Sequence, residues 1–265
     1  MPTTRRTLLG APLAATAAAA VSSTVPPTAA SAVAARPHQS PIDVRPGLVR
    51  HRDDLDPLVL RYRRHVPVSV RYVTRDDPDG GGCQARGAEE TEEVDVPEDA
   101  GHALYRGERY RLAQFHFHTP SEHTVRGRHA PLEMHLVHQS EAGLRLVVGV
   151  LLLPGAPSEA DRILRRLPQE CDEPIEVDDF DLRSLVPARP RTLRYRGSLT
   201  TEPYTEPVLW FLTEPQTCSR AGIRAFQATF PDGDSRDTQP LNGRVLRADT
   251  GWAADLRRRP TGAAD

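Results

Sequence analysis

At 265 residues the chain can form one large domain with a full core, or two small ones. A hydrophobic content of 38% and 25 prolines suit a globular, loop-rich protein rather than a helical bundle. The net charge of −2 leaves no electrostatic footprint for nucleic acid. Every basic side chain is arginine, which excludes Schiff-base lysines and lysine-containing phosphate loops.

Thr4-Arg5-Arg6-Thr7-Leu8-Leu9 has the form of a twin-arginine export motif, and an alanine-rich run follows it to Val21. Ala30-Ser31-Ala32 and Ala32-Val33-Ala34 both offer small-residue cleavage sites. The expectation is an export signal over 1–34, a single domain over 35–265, and a protein exported to the cell envelope or beyond. The apolar run is too short and too alanine-rich for a stable membrane span. Beyond it, Val59–Tyr62, Val66–Val73, Arg109–His118, Leu132–His138, Leu144–Leu153, Arg191–Arg196 and Val208–Leu212 read as strands, being short apolar or alternating runs bounded by Pro, Gly and Asp. Leu146–Leu153 is nearly all branched aliphatic, as in a strand covered on both faces. The acidic run Glu89–Glu93 reads as a solvated face. Ser158–Leu167 is the best helix candidate, with Ser158 as its cap, and Thr217–Phe230 holds a second short helix. Cys83, Cys171 and Cys218 permit one disulfide in an exported protein, and spacing does not choose the pair. These elements give a mainly β (α+β) fold, with one mostly antiparallel sheet as the simplest architecture.

The segment Gln114–His138, QFHFHTPSEHTVRGRHAPLEMHLVH, carries the chemistry. His116 and His118 are two apart, so on a strand both imidazoles leave one face. His135 arrives on a second apolar run after a turn-rich connection. Three neutral imidazoles meeting at one point, without cysteine, are the ligand set of a catalytic Zn2+ with one position left for water. Gln114 and Glu133 each precede a ligand histidine by two residues, placed to orient His116 and His135. His51, His65, His102 and His129 read as surface residues, and His138 as facing away from His135.

QFHFHTPSEH (114–123) with LEMHLVH (132–138) resembles the alpha-class carbonic anhydrases in their secreted bacterial form. HQSPIDV (38–44), YRGSLTTEPYTEPVLW (195–210) and TQPLNGR (238–244) agree in order, so the resemblance spans nearly all of the mature chain. It implies a large twisted, mostly antiparallel ten-stranded sheet with short peripheral helices. It implies reversible hydration of carbon dioxide to bicarbonate and a proton by a zinc-bound hydroxide. It assigns the metal to His116, His118 and His135, and the partners of those histidines to Gln114 and Glu133. Thr200 would accept from the hydroxide and donate to Glu122, while Val137, Val147, Leu199 and Trp210 would form the apolar wall that receives the gas and Thr201 the opposite side. The small-molecule substrate is then carbon dioxide or bicarbonate, with no nucleic-acid partner.

The chain also departs from that pattern. Where the family has its proton-shuttle histidine, Gly87–Val96 holds none, and Ala88 or Glu92 stands there depending on gaps. Glu92 or Glu93 could relay protons, with His102 as a possible substitute, but an exposed glutamate ionises near pH 4.3, which matches a neutral-pH relay poorly, so proton release is expected to depend on buffer. Tyr204 stands where bacterial relatives often have a disulfide cysteine, and Glu202 where they have proline. Two rivals remain at this stage. In a cupin-type metalloenzyme His116-x-His118-x3-Glu122 would make Glu122 a ligand, but no histidine follows His138 to complete that site. A non-catalytic carbonic-anhydrase-like binding protein would have lost a ligand histidine, and this chain keeps all three.

Overall fold

A computed structural model describes residues 37–73, 91–169 and 172–254. The export segment, Ala88, Cys83 and Cys171 lie outside them. The described residues fall within one compact unit, Arg36–Asp265.

Alternation in the strand Glu108–His118 organises the sheet. Phe115 and Phe117 leave one face and are fully buried, while Gln114, His116 and His118 leave the other. The strand pairs antiparallel with Leu132–Ser140, which pairs in turn with Arg145–Pro154. Among the described residues the sheet has 13 strands rather than the ten expected: ten run in the order Ile175–Phe180, Val66–Val73, Thr91–Asp95, Glu108–His118, Leu132–Ser140, Arg145–Pro154, Val208–Thr213, Thr192–Gly197, Leu246–Asp249, Val49–Arg52, while Val59–Tyr62, Gly101–Tyr105 and Gln216–Cys218 branch off that path. The sheet is mixed rather than strictly antiparallel, because Arg145–Pro154 is parallel to Val208–Thr213 and to Gln216–Cys218, and Leu246–Asp249 is parallel to Val49–Arg52. Long connections separate these parallel partners, as parallel pairing requires.

The pleat sorts the interior into two cores. Phe115, Phe117, Met134, Leu136, Leu146, Val148 and Val150 pack on one side, covered by the helices Ala160–Leu164 and Arg220–Thr229. Val147, Leu151, Leu193, Tyr195, Trp210 and Leu212 pack on the other, which is the face of the histidines. Arg145–Pro154 is buried along nearly its whole length, as its aliphatic sequence requires.

Three sequence expectations need correction. The first helix is only Ala160–Leu164, and Ser158 does not cap it: the residue before the helix is Glu159, and Asp161 Oδ2 instead accepts from the Ser158 N–H at 2.8 Å. The second helix, Arg220–Thr229, does have a capping serine, Ser219, whose side chain accepts from Gly222 N–H. The acidic run is no solvated face where it is described, since Thr91–Asp95 is an interior strand with Glu92 and Glu93 both buried. Charge density masked a strand whose neighbours on both sides cover it.

Among the described residues no helix is long and apolar enough to cross a membrane. Cys218 is buried and unpaired, and burial pushes its thiol up to about 12, so it is inert.

A three-histidine site on the open face of the sheet

Register builds the site. His135 lies directly opposite His116, and Glu133 opposite His118, across the two central strands. Ring centroids are 5.0 Å apart for His116–His118, 5.2 Å for His116–His135 and 4.8 Å for His118–His135. One nitrogen from each ring lies within 4.8 Å of the others, and all three side chains are buried.

The outward nitrogens are each held by a neighbour. Gln114 Oε1 accepts from His116 Nδ1 at 2.9 Å, and the amide of Gln114 is itself fixed by donation from Nε2 to Glu93 Oε2 at 2.9 Å. The backbone carbonyl of Asp234 accepts from His118 Nδ1 at 3.0 Å. Glu133 Oε1 accepts from His135 Nε2 at 3.0 Å. With the other nitrogens so held, Nε2 of His116, Nε2 of His118 and Nδ1 of His135 are the atoms that could hold a metal. His118 Nε2 is buried and has no hydrogen-bond partner, as a ligand atom requires. The residues therefore fit a divalent metal of the zinc type.

Glu133 is the most strongly held carboxylate of the site. His123 donates to it from both its backbone N–H and Nδ1, each at 2.7 Å, and His123 Nε2 meets Tyr195 Oη at 2.6 Å, which meets Ser40 Oγ at 2.9 Å. Burial alone would raise this carboxyl, but His123 and His135 outweigh it and hold it well below the ordinary range. Gly149, opposite His135, makes room for it: a Cβ there would stand 3.0 Å from Glu133 Oε1 and 2.6 Å from Leu212 Cδ2.

One pleat along, the register lines up Gln114, Val137, Val147, Trp210 and Tyr195 across four strand pairings. Val137 and Leu199 pack against the core that contains Val147 and Trp210, so the four residues expected to form the apolar wall are brought together. Trp210 also meets His135 edge-on at 4.9 Å, and its Nε1 donates to Ser198 O at 2.8 Å. Thr200 is buried and Thr201 half-buried in the loop that follows.

Glu122 is buried beside the triad. Its Oε1 accepts from the backbone N–H of Arg236 at 3.1 Å, while Oε2 has no hydrogen-bond partner and lies 3.8 Å from His118 Nε2 and from His135 Nδ1. Thr200 forms no hydrogen bond to that oxygen in this structure. Glu122 does not join the three imidazoles as a fourth ligand group, against the cupin reading.

Glu92 sits elsewhere. Glu93 faces the site opposite His116, so Glu92 leaves the other face of the strand, opposite Tyr72. It is buried rather than exposed. Burial first, then nearby Asp234 and Asp172, pushes its carboxyl up to about 8. His51, His65 and His129 are exposed and His102 half-buried, and His138 faces the opposite core, where its Nε2 meets Tyr62 Oη at 2.8 Å.

Sequence reasoning missed Asp234, Arg236 and the His123–Tyr195–Ser40 chain. The bonds that the first two make to His118 and Glu122 come from backbone atoms, which carry no residue-type signal. His123 was visible in the motif, but its partners lie far away in sequence. A cleft of about 400 Å³ lined by Val44, Val49, His51, Val125, Arg128 and Trp252 contains none of the site residues.

Residues 28–250 match the family model described as eukaryotic-type carbonic anhydrase. A carbonic anhydrase of Klebsiella pneumoniae is 39% identical over 143 residues, which are 53% of this chain and 58% of the relative. One of Nostoc sp. is 33% identical over 214 residues, 78% of this chain and 74% of the relative. Among solved structures, the alpha-carbonic anhydrase of Thermovibrio ammonificans in complex with sulfanilamide aligns with a TM-score of 0.67 at 31% identity, covering 79% of this chain and 86% of that one. The Photobacterium profundum alpha-carbonic anhydrase gives 0.63 at 29% identity, with 82% and 90% covered. A match of that extent, over a fold whose register converges three histidines, makes the chain a member of the eukaryotic-type carbonic anhydrase family.

Proposed function

We propose that the chain catalyses the reversible hydration of carbon dioxide to bicarbonate and a proton, with zinc held by His116, His118 and His135. The observation that carries this reading is the division of labour on the imidazoles: each gives one nitrogen to a protein acceptor, and the remaining nitrogens converge. Zinc, when bound, supplies a Lewis acid that brings water ionisation to about pH 7, a value established for carbonic anhydrases as a class rather than obtained from this geometry.

The chain's own residues do the rest. Three neutral ligands leave the metal its full charge, and Gln114, Asp234 and Glu133 hold their orientation. Glu122, when ionised, can only accept hydrogen bonds, and its buried Oε2 is the acceptor assigned to the Thr200 hydroxyl. Thr200, donating there, presents a lone pair to the reacting water and orients it. Val137, Val147, Leu199 and Trp210 give an uncharged gas an apolar wall that weakly hydrogen-bonding substrates favour. Thr201 lines the opposite side.

The proton leaves through buffer. Glu92 faces away from the site, Glu93 is engaged by Gln114 and Arg71, and His102 pairs with Arg111 on the half of the ligand strand distant from His118. Stopped-flow hydration of carbon dioxide, with and without chelator and across imidazole concentrations, tests both claims. We expect chelator-sensitive activity whose kcat rises with buffer. Activity unaffected by complete zinc removal contradicts the metal assignment, and turnover independent of buffer contradicts the route of the proton. The arginine pair Arg5-Arg6 and the small-residue sites before Ala35 support export with cleavage near residue 34. A secreted product that retains its full N-terminus would contradict that.

A further inference from the structure

We propose that Tyr204 is a positioning residue for the loop that carries Thr200 and Thr201, acting through the guanidinium of Arg236. The proposal rests on the roles assigned above to Thr200 and Glu122. The loop joins the strands Thr192–Gly197 and Val208–Thr213 and crosses itself with two backbone bonds, Leu199 N–H to Thr205 O at 3.0 Å and Tyr204 N–H to Thr201 O at 2.9 Å. At Tyr204 the backbone takes a left-handed φ of 53°. An aromatic residue seldom adopts that conformation, and it persists only where surrounding contacts enforce it.

Arg236 supplies the enforcing contact. Its guanidinium carbon lies 3.5 Å from the centroid of the Tyr204 ring, well inside the ~6 Å reach of a cation–π contact. Nη1 of the same group donates to Gln39 Oε1 at 3.0 Å and to Ser40 O at 2.7 Å. Gln39 closes the circuit, donating from Nε2 to Tyr204 O at 3.2 Å and to Glu206 Oε1 at 2.6 Å. The backbone N–H of Arg236 meanwhile holds Glu122 Oε1. Arg236 thus fixes the acceptor carboxylate with its main chain and the loop of the donor hydroxyl with its side chain. Loss of the ring face loosens the loop relative to Glu122 and leaves the metal-binding imidazoles untouched.

Zinc-loaded full-length protein is compared with Tyr204→Leu, Tyr204→Phe and Thr200→Ala. The readouts are kcat/KM for hydration, zinc affinity, and hydrogen exchange at the Leu199 and Tyr204 amides of the metal-free protein. Tyr204→Leu is expected to lose kcat/KM about tenfold, with faster exchange at both amides and zinc affinity within about twofold of the parent. Tyr204→Phe, which keeps the ring face, is expected to stay at the parental level. Parental kcat/KM in Tyr204→Leu, or an equal loss in Tyr204→Phe, overturns the proposal. If Thr200→Ala keeps parental activity, the role of Thr200 fails first, and the proposal fails with it. Should Tyr204→Leu not fold, Arg236→Met keeps the amide that holds Glu122 and must show the same loss with normal zinc affinity. Unchanged kcat/KM there also overturns the proposal.

Discussion

Adjacent residues on one strand meet opposite fates in this sheet. Glu93 faces the histidines, accepts from Gln114 and pairs with Arg71. Glu92, one residue before it, is buried on the other face, and neither of its oxygens has a hydrogen-bond partner. The same split runs through Glu108–His118, where His116 and His118 are tied to Gln114 and Asp234 while Phe115 and Phe117 pack against Phe180 and Phe226. One face carries the histidines and their polar partners beside a core of Val147, Leu193, Trp210 and Leu212, and the other is mostly apolar with the Glu92 carboxylate buried in it. The comparison separates function from stability: the polar face is built to orient imidazoles, and the apolar face holds the fold.

The sharpest way to break that separation is to change neighbours. His118→Ala is expected to remove zinc-dependent activity to background while the metal-free protein melts near the parent. Phe117→Ala is expected to cost about 3–5 kcal/mol in stability and to keep one zinc per chain wherever it remains folded. Thermal melts and zinc analysis of both variants decide the matter. A His118→Ala protein that fails to fold, or a folded Phe117→Ala protein without zinc, would merge the two faces.

Glu92 gives a second, pH-dependent test. Its carboxyl lies at about 8 in the folded chain against 4.5 ordinarily, so the folded state keeps a proton that the unfolded state releases. The stability associated with it is fully present below about pH 4.5 and is lost as pH rises toward 8. Glu92→Gln removes the titration. It is expected to stabilise the protein by up to about 3 kcal/mol at pH 7, with the gain shrinking toward zero near pH 4.5. Urea unfolding at several pH values reads this directly, and a gain that does not change with pH would contradict it.

The smallest expected effect lies on the polar face. Gln114→Ala removes the acceptor of His116 Nδ1 and is expected to weaken zinc binding about 10–100-fold, the range known for such partners, carbonic anhydrases among them. Competition with a chromogenic chelator measures it. An unchanged affinity would mean that the strand alone orients His116.

Much of this was legible in the chain. Val59–Tyr62 and Val66–Val73 occur with the bounds their sequences suggest, and the shared face of His116 and His118 follows from period-two spacing, although the register that sets His135 opposite His116 does not. The strand Thr91–Asp95 was hidden, because five residues with three acids look like surface unless one knows which strands flank them. The site was legible where side chains do the work and obscure where the backbone does. Nothing about the type of Asp234 or Arg236 announces that a carbonyl will receive His118 or that an amide will hold Glu122. The stack of Arg236 on Tyr204 is likewise a product of loops that meet only after folding.

The central claim is that three buried imidazoles of this chain hold zinc and that the zinc makes the chain a carbon dioxide hydratase. Titrating zinc into metal-free protein while following hydration by stopped flow tests it most directly. Activity is predicted to rise linearly and to level off at one equivalent per chain, with no such rise in His118→Ala. Activity that is present before zinc is added, or a His118→Ala protein that responds as the parent does, would contradict the account.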